Sequence, residues 1–279
     1  MEMRQALCEC LDEMMAENEN IVVIDADLAK PNGTFPLRKK YPERAIDVGI
    51  AEQNMASVAA GMSSYGFIPF ITSFTPFASR RICDQIAISI AYAKQNVKII
   101  GSDPGISAEF NGGTHMSMED IGVLRSIPEL VIYEPVDVAQ FKHALPQIVA
   151  YEGPVYIRMF RKTIDDVFTD ANYKFDLFGA DCIQEGTAVT IFCSGIMVQE
   201  TMKANEILKQ EGIDAEIINI HTIKPIDRDA VVASAKKTGA VVVAENHNVI
   251  GGLTSAVCEV LMEEYPVPLR AVGVKDRFG

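Results

Sequence analysis

Four short runs in this chain carry residue types that can do chemistry together. The first is Asp47-Val48-Gly49-Ile50-Ala51-Glu52-Gln53-Asn54-Met55, where Glu52 stands between a β-branched run and a stretch of small, apolar residues. A carboxylate in the first turn of a helix complements the positive end of the dipole and can cap free N–H groups. Its Ala, Gly, Met and Ile neighbours offer a charge little solvation, and a carboxylate in such a place can also hold or pass a proton. The second run is Phe70-Ile71-Thr72-Ser73-Phe74-Thr75-Pro76-Phe77, followed by Arg80, Arg81 and Asp84. Its aromatics are either core, since i to i+3 spacing puts two together, or the wall of a dry pocket. The third, Gly112-Gly113-Thr114-His115, reads as a tight loop carrying an imidazole, a group that titrates near neutral pH and can exchange protons with substrate hydroxyls. The fourth ends an apolar run with Arg158 and Arg161. A guanidinium there either pairs across a linker or offers its planar fork to a phosphate. Asp27 closes another apolar run, as a turn cap or as a ligand.

These runs need elements to hold them. Apolar, β-rich stretches at 21–27, 45–50, 68–73, 97–102, 130–134 and 155–160 alternate with helical patterns at 55–65, 76–94 and 136–149. Such alternation predicts a largely parallel sheet covered on both faces, with ligand-holding loops at the strand ends. Residues 162–185 then mix charges, Asn, Tyr and Gly without periodicity and read as a linker. A second unit follows, with strands at 188–194, 215–220, 240–245 and 269–274 and helices at 197–211, 227–237 and 252–264. The expectation is an α/β chain of two consecutive α/β domains, 1–161 and 186–279, joined by the linker 162–185.

The run 47–55 resembles the glutamate motif of the transketolase family, which also covers 1-deoxyxylulose-5-phosphate synthases and the beta subunits of 2-oxo-acid dehydrogenases. The likeness extends along most of the chain. It implies a pyrimidine-binding thiamine diphosphate fold with a mostly parallel sheet, then a transketolase C-terminal-like domain. By this resemblance Glu52 hydrogen-bonds a pyrimidine nitrogen of thiamine diphosphate, and Phe74 and Phe77 enclose the aminopyrimidine, with Ile71 where a third aromatic is common. His115 stands beside the cofactor's reactive carbon, making Glu52 and His115 the catalytic residues. Asp27 lies near the thiazolium at a subunit interface, and Arg161, with Arg4 in looser register, binds substrate phosphate. In such enzymes the cofactor carries the carbon chemistry while the protein supplies a proton position and a dry pocket. The flank of Gly112-Gly113-Thr114-His115 departs from the sugar-transketolase pattern: a further histidine and an acidic residue usually stand upstream, where this chain has Asp103 and Asn111. The run from Glu245 to Leu253 resembles the double-glycine loop of the family's C-terminal domain, so His247 is expected to be structural, like His143 and His221.

The family's other domain grips the diphosphate through Mg²⁺ with a Gly-Asp-Gly run, and none occurs here. The resemblance therefore implies the C-terminal subunit of a two-chain transketolase that moves a two-carbon ketol unit between phosphorylated sugars. Thiamine diphosphate would be shared with a separate N-terminal subunit that carries the Mg²⁺ ligands, and the pair would self-associate into a dimer-based heterotetramer. The alternatives are a beta subunit of a 2-oxo-acid dehydrogenase, a 1-deoxyxylulose-5-phosphate synthase-like enzyme, or a non-catalytic assembly subunit.

Composition narrows the class further. The 279 residues are 48% hydrophobic and 23% charged, enough for a sizeable core, and the net charge of −13 with no basic cluster argues against nucleic-acid binding. No apolar run reaches ~18–20 residues and the N-terminus lacks a secretory core, so neither membrane insertion nor export is expected and the cytoplasm is the natural compartment. Cys8, Cys10, Cys83, Cys182, Cys193 and Cys258 show no metal-type spacing with histidine and read as reduced, mostly buried thiols, with no metal site.

Overall fold

Apolar side chains recur at Met3, Leu7, Leu11 and Met15, so the chain opens in helix α1 (Met3–Glu17), which the periodic stretches above do not include. Its buried face joins the core on one side of the first sheet. The computed structural model describes residues 1–169 and 172–279. The first unit continues through β1 (Ile21–Asp25), α2 (Ala29–Asn32), α3 (Phe35–Lys40), β2 (Ala45–Asp47), α4 (Glu52–Ser64), β3 (Ile68–Phe74), β4 (Lys98–Ser102), α5 (Asp120–Arg125), β5 (Val131–Tyr133), α6 (Val138–Ala150) and β6 (Val155–Met159). Its strands lie parallel in the order β5-β6-β4-β3-β1-β2. They are buried on both faces, which is why they read as unbroken apolar runs.

The second unit holds β7 (Asp181–Gln184), β8 (Val189–Cys193), α7 (Met197–Gln210), β9 (Ala215–Asn219), β10 (Thr222–Lys224), α8 (Arg228–Thr238), β11 (Val241–Asn248), α9 (Leu253–Glu264) and β12 (Leu269–Val274). Its sheet is ordered β12-β11-β8-β9-β7, with β7 antiparallel at the edge. Glu245 on β11 accepts hydrogen bonds from the N–H groups of Leu253 (2.7 Å) and Thr254 (3.1 Å), capping α9 from outside the helix.

Three expectations need correction. The segment 162–185 is not a free linker: it contains β7, and Phe175 and Leu177 are buried in the core of the first unit, irregularly spaced anchors among polar residues. Strand β10 leaves its own unit and pairs antiparallel with β5, adding a seventh strand to the first sheet. The helix expected over 76–94 is a turn, a 3₁₀ turn at Arg80–Ile82 and a π-helical segment Gln85–Tyr92. Pro76 has no N–H for a helical ladder, and the turn that it opens keeps Phe74 and Phe77 adjacent, with ring centroids 6.3 Å apart.

One apolar cluster runs through both units, from Ile71 and Ile99 to Ile218 and Val257. A buried ionic knot stands beside it. Arg158 on β6 donates from Nε to Asp120 (2.7 Å), from Nη1 to Glu134 (2.5 Å) and from Nη2 to the carbonyl of Asn246 (2.8 Å), while Ser194 donates to Glu134 at 2.6 Å. Burial alone would raise the Asp120 carboxyl; the Arg158 guanidinium, His247 and the Tyr156 hydroxyl together outweigh it and hold that group below the ordinary range. Arg158 is thus a structural residue at the seam between the units. Among the described residues no helix is long and apolar enough to cross a membrane.

Candidate active site

Strand register sets the site. Asp25 pairs with Asp47 and Thr72, Phe74 with Ser102, and Ser102 with Met159, so β2, β1, β3, β4 and β6 all end at one edge. The residues just beyond those ends, among them Asp27, Glu52, Phe77, Asp103 and Arg161, gather there, where open α/β sheets hold ligands. A buried polar chain underlies the edge. The Thr72 and Thr34 hydroxyls donate to Asp25, Asn32 Nδ2 donates to Thr72 at 3.4 Å, and Ser102 donates to Asn32 Oδ1 at 2.7 Å. Burial pushes the Asp25 carboxyl up to about 6, against those two hydroxyl hydrogen bonds.

Asp47 shapes the turn into α4. Its Oδ1 accepts from the N–H groups of Gly49 (2.7 Å) and Asp27 (3.1 Å), and Gly49 has a φ of 76°, which favours glycine. Glu52 follows as the first residue of α4, only 4% exposed. Its carboxylate accepts no helix N–H, so it complements the dipole of α4 without capping it. Oε1 accepts from Arg81 Nη1 at 2.7 Å, and among the described residues Oε2 has no hydrogen-bond partner. The Arg81 guanidinium in turn lies 4.1 Å from the centre of the Phe77 ring.

From Phe77 the wall continues. His115 meets Phe77 edge-on at 5.2 Å and Phe74 at 6.0 Å, so the loop 112–115 is folded onto the aromatic pair. Thr114 Oγ1 lies 2.8 Å from His115 Nδ1. The Arg161 guanidinium sits 5.1 Å over Phe74, forms an ion pair through Nε with the buried Asp103, and donates from Nη1 to the carbonyl of Pro31 at 3.3 Å. Burial raises the Asp103 carboxyl, opposed by Arg161. Arg4 joins at this end: its N–H donates to the carbonyl of Arg161 at 3.0 Å, and its side chain pairs with Glu2 at 2.7 Å.

Glu52, Phe74, Phe77, His115, Arg161 and Arg4 therefore form one continuous face, with a carboxylate at one end and guanidinium groups at the other. Asp27 reaches the same edge through Asp47, with its side chain exposed and its backbone at a φ of 61°. Ile71 does not line the face. It is fully buried in the apolar cluster that also contains Met55 and Ala56, because residues 71 and 74 are an odd number apart on a strand and point to opposite sides. Sequence reasoning missed Arg81 as the partner of Glu52 and the pairing of Asp103 with Arg161, although both arginines stand in chemistry-bearing runs.

Among the described residues Cys182, Glu185 and Glu216 could approach a cation together, but Lys237 already pairs with both carboxylates, at 2.8 Å for Glu216. That group lies on the second sheet, away from the strand-end face. An apolar hollow of about 510 Å³, lined by Ala87, Ile88, Ala91, Tyr92, Ile127 and Pro128 among others, also shares no residue with it.

The transketolase pyrimidine binding domain family matches residues 1–165, and the transketolase C-terminal domain family matches residues 179–279. The chain is 53% identical over 277 residues to a 6-deoxy-6-sulfo-D-fructose transketolase subunit from Clostridium sp. (strain MSTE9), covering 99% of this chain and 86% of that protein. It is 32% identical over 273 residues to an apulose-4-phosphate transketolase subunit from Phocaeicola vulgatus, covering 98% of this chain and 87% of that one. A solved structure described as a split gene transketolase, inactive beta4 tetramer, superposes with a TM-score of 0.91 at 43% identity, over 100% of this chain and 91% of that chain.

Proposed function

The chain belongs to the transketolase family, and we propose that it is the C-terminal subunit of a two-chain, thiamine diphosphate-dependent transketolase acting on sugars that end in an anion. The observation that carries this reading is Glu52: buried, at a helix start it does not cap, with one carboxylate oxygen free beside an aromatic wall. That setting fits an aminopyrimidine, which needs an acid partner and flat apolar faces. The chemistry thiamine diphosphate supplies when bound is reversible cleavage of a carbon–carbon bond next to a carbonyl. Glu52 Oε2 would hold a proton at the pyrimidine nitrogen. Phe74 and Phe77 would exclude water and fix the ring plane. His115 Nε2 would hydrogen-bond or exchange a proton with a substrate hydroxyl, and Arg161 with Arg4 would anchor the substrate's anionic end.

The other half of the site belongs, in this reading, to a separate subunit carrying the Mg²⁺ and diphosphate ligands, in line with relatives named as transketolase subunits of which this chain covers 86% and 87%. Ile50, Phe110, Ile88 and Tyr92 are exposed, the first two flanking the site and the last two rimming the apolar hollow, and we assign this surface to subunit contacts in a dimer-based assembly. The six free cysteines suit a reducing cytoplasm. The Clostridium relative is named as a transketolase subunit, as is the Phocaeicola one, which supports the two-chain arrangement. The test is reconstitution: this chain is mixed with a chain carrying the Gly-Asp-Gly domain, thiamine diphosphate and Mg²⁺, and assayed with ketose donors. Ketol transfer by the mixture alone is expected. Activity of this chain by itself, or a mixture that acts on 2-oxo acids and no ketose, would refute the assignment.

A further inference from the structure

The cations at the guanidinium end are already neutralised. Arg161 pairs with Asp103, Arg4 with Glu2 at 2.7 Å, and Lys162 with Glu109 at 2.5 Å. Asp103 differs from the other two acids, because it is 1% exposed and follows directly on β4. Its N–H donates to the carbonyl of Met159 at 3.0 Å, extending the β4–β6 ladder by one step, and its φ of 53° places it in the left-handed region. The fold therefore holds a carboxylate against Arg161 at some cost in backbone conformation.

We propose that Asp103 sets the charge of the substrate tail that this site accepts: a ketose ending in a singly charged sulfonate, in preference to one ending in a doubly charged phosphate. This rests on the ketol-transfer reading above. A phosphate monoester carries about −1.5 to −2 at pH 7, with a second pKa near ~6, whereas a sulfonate carries a single charge throughout the working range. The cost of stripping water from an ion grows with the square of its charge, while attraction to a fixed cation grows only in proportion. A site rich in unpaired cations can offset the larger cost for a dianion. Here each of the three cations has a carboxylate beside it, and the buried Asp103 repels a dianion twice as strongly as a monoanion. The sulfonate keeps the guanidinium hydrogen bonds of Arg161 at a smaller desolvation penalty. Asp103 is thus a specificity-determining residue that acts through Arg161.

The test compares two ketoses that differ only in the terminal group, in the reconstituted complex. The wild type should favour the sulfonate by about tenfold or more in kcat/KM, and Asp103→Asn, which keeps the shape and removes the charge, should shift that ratio toward phosphate by about tenfold, chiefly through KM. On wild type alone, lowering the pH from about 7.5 to about 5.5 should improve the phosphate donor relative to the sulfonate donor, as the phosphate gains its second proton. Calorimetric Kd values for both sugars, measured on the complex prepared without thiamine diphosphate, give the same ratio without turnover. A wild-type preference for phosphate, or an equal loss for both sugars in Asp103→Asn, would overturn the proposal. Turnover of neither ketose would remove the ketol-transfer reading, and the calorimetric ratio would still decide this one: sulfonate preference supports it and no preference overturns it.

Discussion

Glu52 illustrates how one observation separates two roles that share a residue type. A carboxylate at the first position of a helix is commonly there for the helix, yet this one accepts no N–H from α4 and is bound at Oε1 by Arg81. In the reconstituted complex Glu52→Gln is expected to slow deuterium exchange at the thiazolium carbon by ~10²–10⁴, the usual worth of a positioned acid–base group, with the melting temperature little changed. A residue serving the helix would give the opposite pattern, a stability loss of ~1 kcal/mol and near-normal exchange. At this scale the gathering of Glu52, Phe74, Phe77, His115 and Arg161 was legible through the family likeness of their runs, since residue type alone left capping, core and surface roles open. Arg81 was not, since 29 residues separate it from Glu52 and its reach depends on how the segment after Pro76 turns. Ile71 occupies a motif position yet faces the apolar core, because side chains alternate along β3.

Elements were legible where the apolar period was strong and long. The buried parallel strands and α4, α6, α7, α8 and α9 fall close to their expected spans. Short edge strands are the weak point: β7 and β10 hold four and three residues, are partly polar, and owe their conformation to neighbours far away in sequence. Helix α1 had its signal in the spacing of Met3, Leu7, Leu11 and Met15, and needed only to be read. One element carries a feature no pattern shows. Lys98, at the start of β4, is buried and donates to the carbonyls of Tyr151 and Gly153, both at 2.8 Å. Burial pushes its amine down to about 7, and a neutral amine still has two N–H groups for two carbonyls. The unfolded chain would keep that proton until about pH 10.5. Between about 7 and 10.5 the unfolded state thus binds more protons, and the contribution of Lys98 to stability rises with pH. Denaturant titrations should show wild type gaining stability relative to Lys98→Met as pH rises across that window. A constant gap would mean that Lys98 stays charged in the fold.

As a whole, the molecule reads as two α/β units locked into one body. The shared apolar cluster, β10 crossing to the first sheet, and Arg158 binding Asp120, Glu134 and the Asn246 carbonyl leave little freedom between the units. That rigidity would suit the proposed role of presenting a preformed half-site to a partner. The face from Glu52 to Arg161 offers an acid, aromatic walls, an imidazole and guanidinium groups, and the sequence holds no Gly-Asp-Gly run to grip a diphosphate through Mg²⁺. The central claim is therefore that this chain holds half of a thiamine diphosphate site. Calorimetric titration of thiamine diphosphate with Mg²⁺ into this chain alone, and into its complex with a chain carrying the Gly-Asp-Gly domain, tests it most directly. Negligible heat from the chain alone and Mg²⁺-dependent binding by the complex are the expected result; tight, Mg²⁺-dependent binding by the isolated chain would contradict it.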